Sequence, residues 1–253
     1  FRGGFHGRTH GAMALTSSNS KYRAHYAPLM GGVHFVPYPY PLRMGGPDAA
    51  LAQTLAAIDE LFATLVVPDD VACFLVEPVL GEGGYVVPPD GFLPALRALA
   101  DRHGILLVVD EVQAGYARTG RFFATDWTDA TPDIVVMAKG IASGLPLSGI
   151  LASRDLLERW GPGAHGGTYG GGSAVVMAAA LETVNVIVEE KLADNAAARG
   201  ATLVSGLREL QAEFPVIGDV RGRGLMVGVE FTTAAGTPDK LICKTAAAGC
   251  LKR

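Results

Sequence analysis

The sequence predicts an α/β protein with a mostly parallel sheet and helices on both faces. Two apolar runs carry most of that prediction. Residues 105–109 and 134–138 are five apolar residues each, rich in β-branched side chains, and both read as strands buried on two faces. The third observation is the alternation of strand-like and helix-like segments along the chain, the pattern of parallel sheets wrapped by helices.

The elements follow in order. Residues 33–36 read as a short strand before a turn holding Pro37, Pro39 and Pro41. Residues 48–65 have helical spacing, good helix formers and no interior proline. Residues 71–76 read as a strand ending at Glu77-Pro78, and 91–103 as a helix with Gly104 just past its end. The strand before Asp110-Glu111 comes next, then a Gly-rich loop to Thr131-Pro132, the strand before Lys139-Gly140, and a further strand over 148–152. Residues 173–190 are Ala-rich and apolar on most sides, so a buried helix is expected there, followed by a more charged helix over 192–214. Past Pro215 a Gly-punctuated turn leads into an alternating strand over 225–231. Residues 1–190 are therefore expected to form a large domain, and 191–253 the start of a smaller α+β domain.

Composition narrows the function classes. The 253 residues are 49% hydrophobic and 18% charged with 33 glycines, as in a compact α/β enzyme. A net charge of −4 leaves no footprint for nucleic acid or an anionic membrane surface. Cys73, Cys243 and Cys250 are odd in number and widely spaced, so neither a disulfide framework nor a metal site is expected, and a cytoplasmic location is. No apolar run approaches the ~20 residues of a membrane span. The chain opens at Phe1-Arg2-Gly3-Gly4 without a start Met, and 239–253 stop inside a helical pattern, so both ends are expected to lie within a longer polypeptide.

The strand ends carry the chemistry. In open α/β sheets ligands sit beyond the carboxyl ends of the strands, so Asp110 and Lys139 are aimed at one edge. A lysine removed from water becomes a nucleophile able to form a Schiff base. A carboxylate can keep a pyridine nitrogen protonated, and an aldehyde anchor with a ring-nitrogen partner is what pyridoxal 5′-phosphate requires. Around this pair lie Glu77 and Glu82 at another strand end, and Phe5-His6-Gly7-Arg8-Thr9, where an aromatic could stack on a ring and an Arg could clamp a carboxylate. Residues 165–171, Gly-rich and holding Thr168, precede a long helix and suit a phosphate. Read alone, each of the last three segments is equally an ordinary loop.

In combination and in order, these segments resemble the class III (ornithine/4-aminobutyrate-type) aminotransferases of fold type I. The likeness spans nearly the whole chain. It rests on Phe5-His6-Gly7-Arg8-Thr9, on Glu77-Pro78 followed by Gly81-Glu82-Gly83-Gly84, on Asp110-Glu111-Val112-Gln113-Ala114-Gly115 with Arg118-Thr119-Gly120, and on Ala138-Lys139-Gly140 with Gly144-Leu145-Pro146. The sequence departs from the family at Gly171-Gly172-Ser173, where Gly-Asn-Pro is usual.

The resemblance implies roles. Lys139 would bind the cofactor as an aldimine and shuttle a proton, and Asp110 would hold the ring nitrogen. Phe5 and Val112 would cover the two ring faces, with His6 beside them, and Gln113 would bond the ring hydroxyl. Thr168 would reach the phosphate in the neighbouring subunit of a homodimer. Arg8 would bind the distal carboxylate of an ω-amino acid or 2-oxoglutarate, Glu82 would be a gate pairing with another Arg, expected beyond residue 253, when no α-carboxylate is present, and Glu77 would line the substrate side. The implied activity is transfer of an amino group from an ω-amino acid, 4-aminobutyrate favoured, to 2-oxoglutarate. An acetylornithine/ornithine-type aminotransferase, an aminomutase or decarboxylase on the same scaffold, and an inactive fragment are the alternatives. Arg8 argues against the mutases and decarboxylases, which tend to lack it.

Overall fold

A computed structural model describes residues 1–167 and 172–251. Strands β1 (Cys73–Val76), β2 (Leu106–Asp110), β3 (Ile134–Met137) and β4 (Gly149–Ala152) form one sheet in that order. β2 runs parallel to β1 and to β3, and β4 is antiparallel to β3. The register sets Val76 beside Val109 and Asp110 beside Val136. The carboxyl ends of the three parallel strands therefore share one edge, where Glu77, Asp110 and Lys139 emerge.

Three helices precede β2. They are α1 (His10–Leu15), α2 (Pro47–Thr64) and α3 (Phe92–His103). Pro47 opens α2, where its missing N–H costs nothing. Gly104 ends α3 in the left-handed conformation at φ +69°. The face of α3 made by Phe92, Leu93, Leu96, Leu99 and Ala100 is buried. It packs with Phe74 and Val76 of β1, Leu107 and Val109 of β2 and Ile58 of α2 into the main core. Phe1, Tyr38 and Phe92 meet edge to face at its margin, with ring centroids 5.3–6.4 Å apart. Residues 33–36 form no strand. Prolines at 37, 39 and 41 remove alternate donors just beyond them, and the Val36 carbonyl instead accepts from the Arg2 N–H at 2.8 Å.

Burial thins across the sheet. In β2 every residue after Leu106 is buried, as the apolar run predicted, whereas in β3 only Val135 is. Ile150 and Leu151 of β4 are exposed. After the short helix α4 (Arg154–Leu157) comes α5 (Ala174–Glu189), which forms where expected but is not buried. Ala180 and Ile187 are covered, while Val175, Leu181 and Val188 are 74%, 65% and 60% exposed. One side of α5 meets the turn after β3 and the next helix, and no described residue covers the other.

That next helix is α6 (Leu192–Glu213), packed on a hairpin of β5 (Ile217–Arg223) and β6 (Met226–Phe231). The segment read as a Gly-punctuated turn is thus largely strand. Its Gly222 sits within β5 against Met226 and Val227, and the turn itself is confined to Gly224-Leu225. Helix α7 (Lys240–Cys250) follows, capped by Asp239, whose Oδ1 accepts from the Leu241 and Ile242 N–H groups at 2.9 and 3.0 Å. Among the described residues no helix is long and apolar enough to cross a membrane.

Candidate active site

Asp110 closes β2 as a buried carboxylate with both oxygens fixed. Oδ2 accepts from His6 Nδ1–H at 2.8 Å and Oδ1 from the Val112 N–H at 3.0 Å. The next residue points the other way, because side chains alternate along a strand. Glu111 is fully buried and accepts from Thr125 Oγ1 (2.6 Å), Thr125 N–H (2.7 Å) and Ala124 N–H (3.1 Å). Burial pushes its carboxyl above the usual range, against the pull of those bonds. Asp110 therefore faces the site, while Glu111 is a structural carboxylate.

Glu77, at the end of β1, is also buried and pushed up by burial, with its backbone hydrogen bonds and His6 opposing the shift. Its Oε1 accepts from the Phe5 N–H and its Oε2 from the Gly81 N–H, both at 2.8 Å. It thereby ties the Phe5-His6 segment to the 81–85 loop. That loop is closed at its base by a pair of backbone bonds between Leu80 and Val86.

Lys139 is reached differently. β3 stops at Met137, Ala138 is extended, and Lys139 takes φ +47° at the start of a 3-10 turn over Lys139–Ala142. A non-glycine residue in this left-handed region is uncommon, and such conformations gather at functional sites. The lysine is exposed, not buried as the preceding apolar run suggested, because the chain leaves the sheet before reaching it.

These segments converge. Phe5, His6, Glu77, Asp110, Val112, Gln113 and Lys139 line one cavity of about 80 Å³, together with Gly7. Arg8 and Glu82 lie outside it and are exposed. Both meet Tyr22: Glu82 Oε2 accepts from its hydroxyl at 3.1 Å, and the Arg8 guanidinium carbon stands 5.4 Å from its ring centroid. The same ring packs edge-on to Phe5 at 5.0 Å. Tyr22 and Tyr85, whose hydroxyl accepts from Gln113 Nε2 at 3.1 Å, are site neighbours that sequence reasoning missed. Neither falls in a periodic segment, so only the folded chain brings them in. Thr168 lies outside the described residues.

The carboxyl edge of the parallel strands thus presents a carboxylate, an amine, an aromatic ring and an amide to one cavity. The chain belongs to the class-III aminotransferases, whose family model matches residues 1–253. It is 42% identical over 240 residues to the 5-aminovalerate aminotransferase of Pseudomonas putida, an alignment covering 94% of this chain and 55% of the relative. It is 39% identical over 247 residues to an alanine/serine racemase of Pyrococcus horikoshii, covering 94% and 52%. Among solved structures, a thermostable (S)-enantioselective ω-transaminase from Thermomicrobium roseum superposes with a TM-score of 0.88 at 36% identity, over 96% of this chain and 56% of that one. The chain thus spans about half the length of the relatives it matches.

Class-III aminotransferases use pyridoxal 5′-phosphate, and the donor set here fits it. A buried carboxylate with both oxygens oriented suits a protonated ring nitrogen, Lys139 suits an aldehyde, and Phe5 and Val112 offer surfaces for a flat ring.

Proposed function

We propose that the polypeptide containing this chain transfers an amino group from an ω-amino acid, with 4-aminobutyrate the favoured donor, to 2-oxoglutarate. The observation that carries the reading is the single cavity joining Asp110, Lys139, Phe5, Val112 and Gln113. Pyridoxal phosphate, bound there, supplies the electron sink into which a bond at the donor's reacting carbon is broken. Asp110 keeps the ring nitrogen protonated, and His6 and the Val112 N–H keep Asp110 in place. Lys139 would hold the cofactor's aldehyde and, as a free amine, would serve as the base that moves the proton of the donor's reacting carbon. Phe5 and Val112 would pack on the ring, and Gln113 would hydrogen-bond its hydroxyl.

Arg8 is proposed to bind the donor's distal carboxylate, and Glu82 to act as a gate that pairs with a different Arg when no α-carboxylate is bound. The P. putida relative is named for an ω-amino acid donor, which supports this choice of substrate class. We further propose a cytoplasmic homodimer, with Thr168 at the partner's phosphate and a domain boundary near residue 190. A second reading, racemisation of a small α-amino acid, is favoured by the P. horikoshii relative.

One experiment separates the readings. The full-length protein is loaded with pyridoxal phosphate, and its absorbance is followed with 4-aminobutyrate, 5-aminovalerate, N-acetylornithine and L-alanine. Conversion of the cofactor to its amine form by an ω-amino acid, reversed by 2-oxoglutarate, is the expected result. Formation of D-alanine without loss of the cofactor's absorbance would establish the racemase reading instead. A protein that takes up no cofactor would refute both.

A further inference from the structure

Gln113 has a face on two hollows. It lines the 80 Å³ cavity, and it lines a wider cleft of about 640 Å³ between the 81–85 loop and the β5–β6 hairpin. Its amide is held by that loop on two sides. Nε2 donates to Tyr85 OH at 3.1 Å, and Oε1 lies so close to Gly81 that a methyl group on Gly81 would collide with it. The orientation of Gln113 is therefore set by where the loop sits.

The loop's base is fixed by Glu77 and by the Leu80–Val86 bonds. Its tip is fixed from the hairpin. Arg221 of β5 donates from Nε and Nη2 to the Gly84 carbonyl, at 3.1 and 2.7 Å. Its Nη1 donates to Asp219 at 2.7 Å and Glu230 at 3.1 Å, and its guanidinium carbon stands 5.2 Å from the Tyr40 ring centroid. Charge and fork are thus both satisfied with the guanidinium held in one orientation. Glu230 is itself bonded to Tyr40 and Arg43. Across the contact Gly228 of β6 carries no side chain, and a methyl there would press on Gly84 O at 3.1 Å and Tyr85 Cβ at 3.2 Å.

We propose that Arg221 is a positioning residue for the active site, holding the 81–85 loop so that Tyr85 fixes the Gln113 amide against the cofactor ring. The proposal rests on the cofactor reading above. It makes the C-terminal hairpin part of the site without contact to substrate: the route runs from Arg221 to the Gly84 carbonyl, through Tyr85 to Gln113. Displacing the loop would also move Glu82, next to Gly81.

The test uses the full-length, cofactor-loaded protein and the variants Arg221→Met, Arg221→Lys, Tyr85→Phe and Gln113→Ala. Absorbance spectra across pH report the ring hydroxyl's surroundings, and steady-state kinetics report kcat and KM. Arg221→Met and Tyr85→Phe are expected to move the bound cofactor's absorbance and its pH midpoint in the same direction as Gln113→Ala. Each should lower kcat roughly tenfold, the scale of one lost hydrogen bond in a site. In a Gln113→Ala background Arg221→Met should add no further spectral change, since groups acting along one route are not additive. Arg221→Lys, which lacks the fork, should recover part of the effect.

A purely structural arginine would lower thermal stability and leave the spectrum and its pH midpoint native, which would overturn the proposal. If Arg221→Met does not fold, Tyr85→Phe decides, because it removes one hydroxyl on the same route, and a native spectrum there would refute the proposal. A native protein with no cofactor band at any pH refutes the cofactor reading and this inference together. A native band unmoved by these variants refutes this inference alone.

Discussion

The two sides of the site are built differently. On the β1–β2 side, Glu77, Asp110 and Glu111 are buried carboxylates whose every oxygen accepts a hydrogen bond. They stand on a core filled by α2 and α3. On the β3–β4 side, Lys139 is exposed at a left-handed turn, the strand beyond it is exposed, and α5 leaves apolar side chains uncovered among the described residues. Both sides are equally apolar in sequence. Hydrophobicity sets where strands and helices form, but burial depends on what packs on top, and a local pattern holds no record of that. In the proposed reaction the carboxylate side would receive the cofactor ring, while the lysine side would carry the group that releases the cofactor and moves a proton.

Breaking the lysine side should have the largest effect. In the full-length protein Lys139→Ala is expected to lower transamination by roughly a thousandfold or more, the scale of losing a catalytic base together with the covalent anchor. Single-turnover kinetics would measure this, and near-native turnover would remove Lys139 from its proposed role. Asp110→Asn, on the rigid side, should lower kcat by roughly a hundredfold or more with far less effect on cofactor capture. Comparing kcat with an absorbance titration of cofactor affinity separates the two quantities, and an equal loss in both would mean that Asp110 serves binding only.

A third change tests whether the rigid side is a scaffold. Glu111→Gln replaces one acceptor oxygen by an NH2 that faces backbone donors, so about 2 kcal/mol of stability should be lost in urea denaturation. The smallest effect is its pH dependence. Burial raises the folded-state pKa of Glu111 above the unfolded value of about 4.3. Between those two values the folded chain keeps a proton that the unfolded chain has released, so this group's contribution falls as pH rises through the window. The stability difference between native protein and Glu111→Gln should therefore narrow from acid towards neutral pH, and a gap that widened would reverse the assignment.

Much of this was legible in the sequence because it is local. The ends of β1 and β2 follow from apolar runs that stop on polar residues, and Gly104 marks the end of α3 before any packing is known. Strand alternation could also have separated Glu111 from Asp110, since neighbours on a strand face opposite ways. Other features are not local. Tyr22 meets Phe5, Arg8 and Glu82 only through a turn with no periodic signal, and Arg221 reaches Gly84 from a strand 137 residues further on. The exposure of Lys139 was hidden as well, because an apolar run marks a strand but not where the chain leaves the sheet.

The central claim is that Lys139 is the residue that holds the cofactor beside Asp110. Borohydride reduction of the full-length, cofactor-loaded protein, followed by peptide mass spectrometry, tests it most directly, because reduction makes the lysine–cofactor link permanent. The expected result is one phosphopyridoxyl group on the peptide carrying Lys139. A label on another lysine, or none at any, would contradict the account.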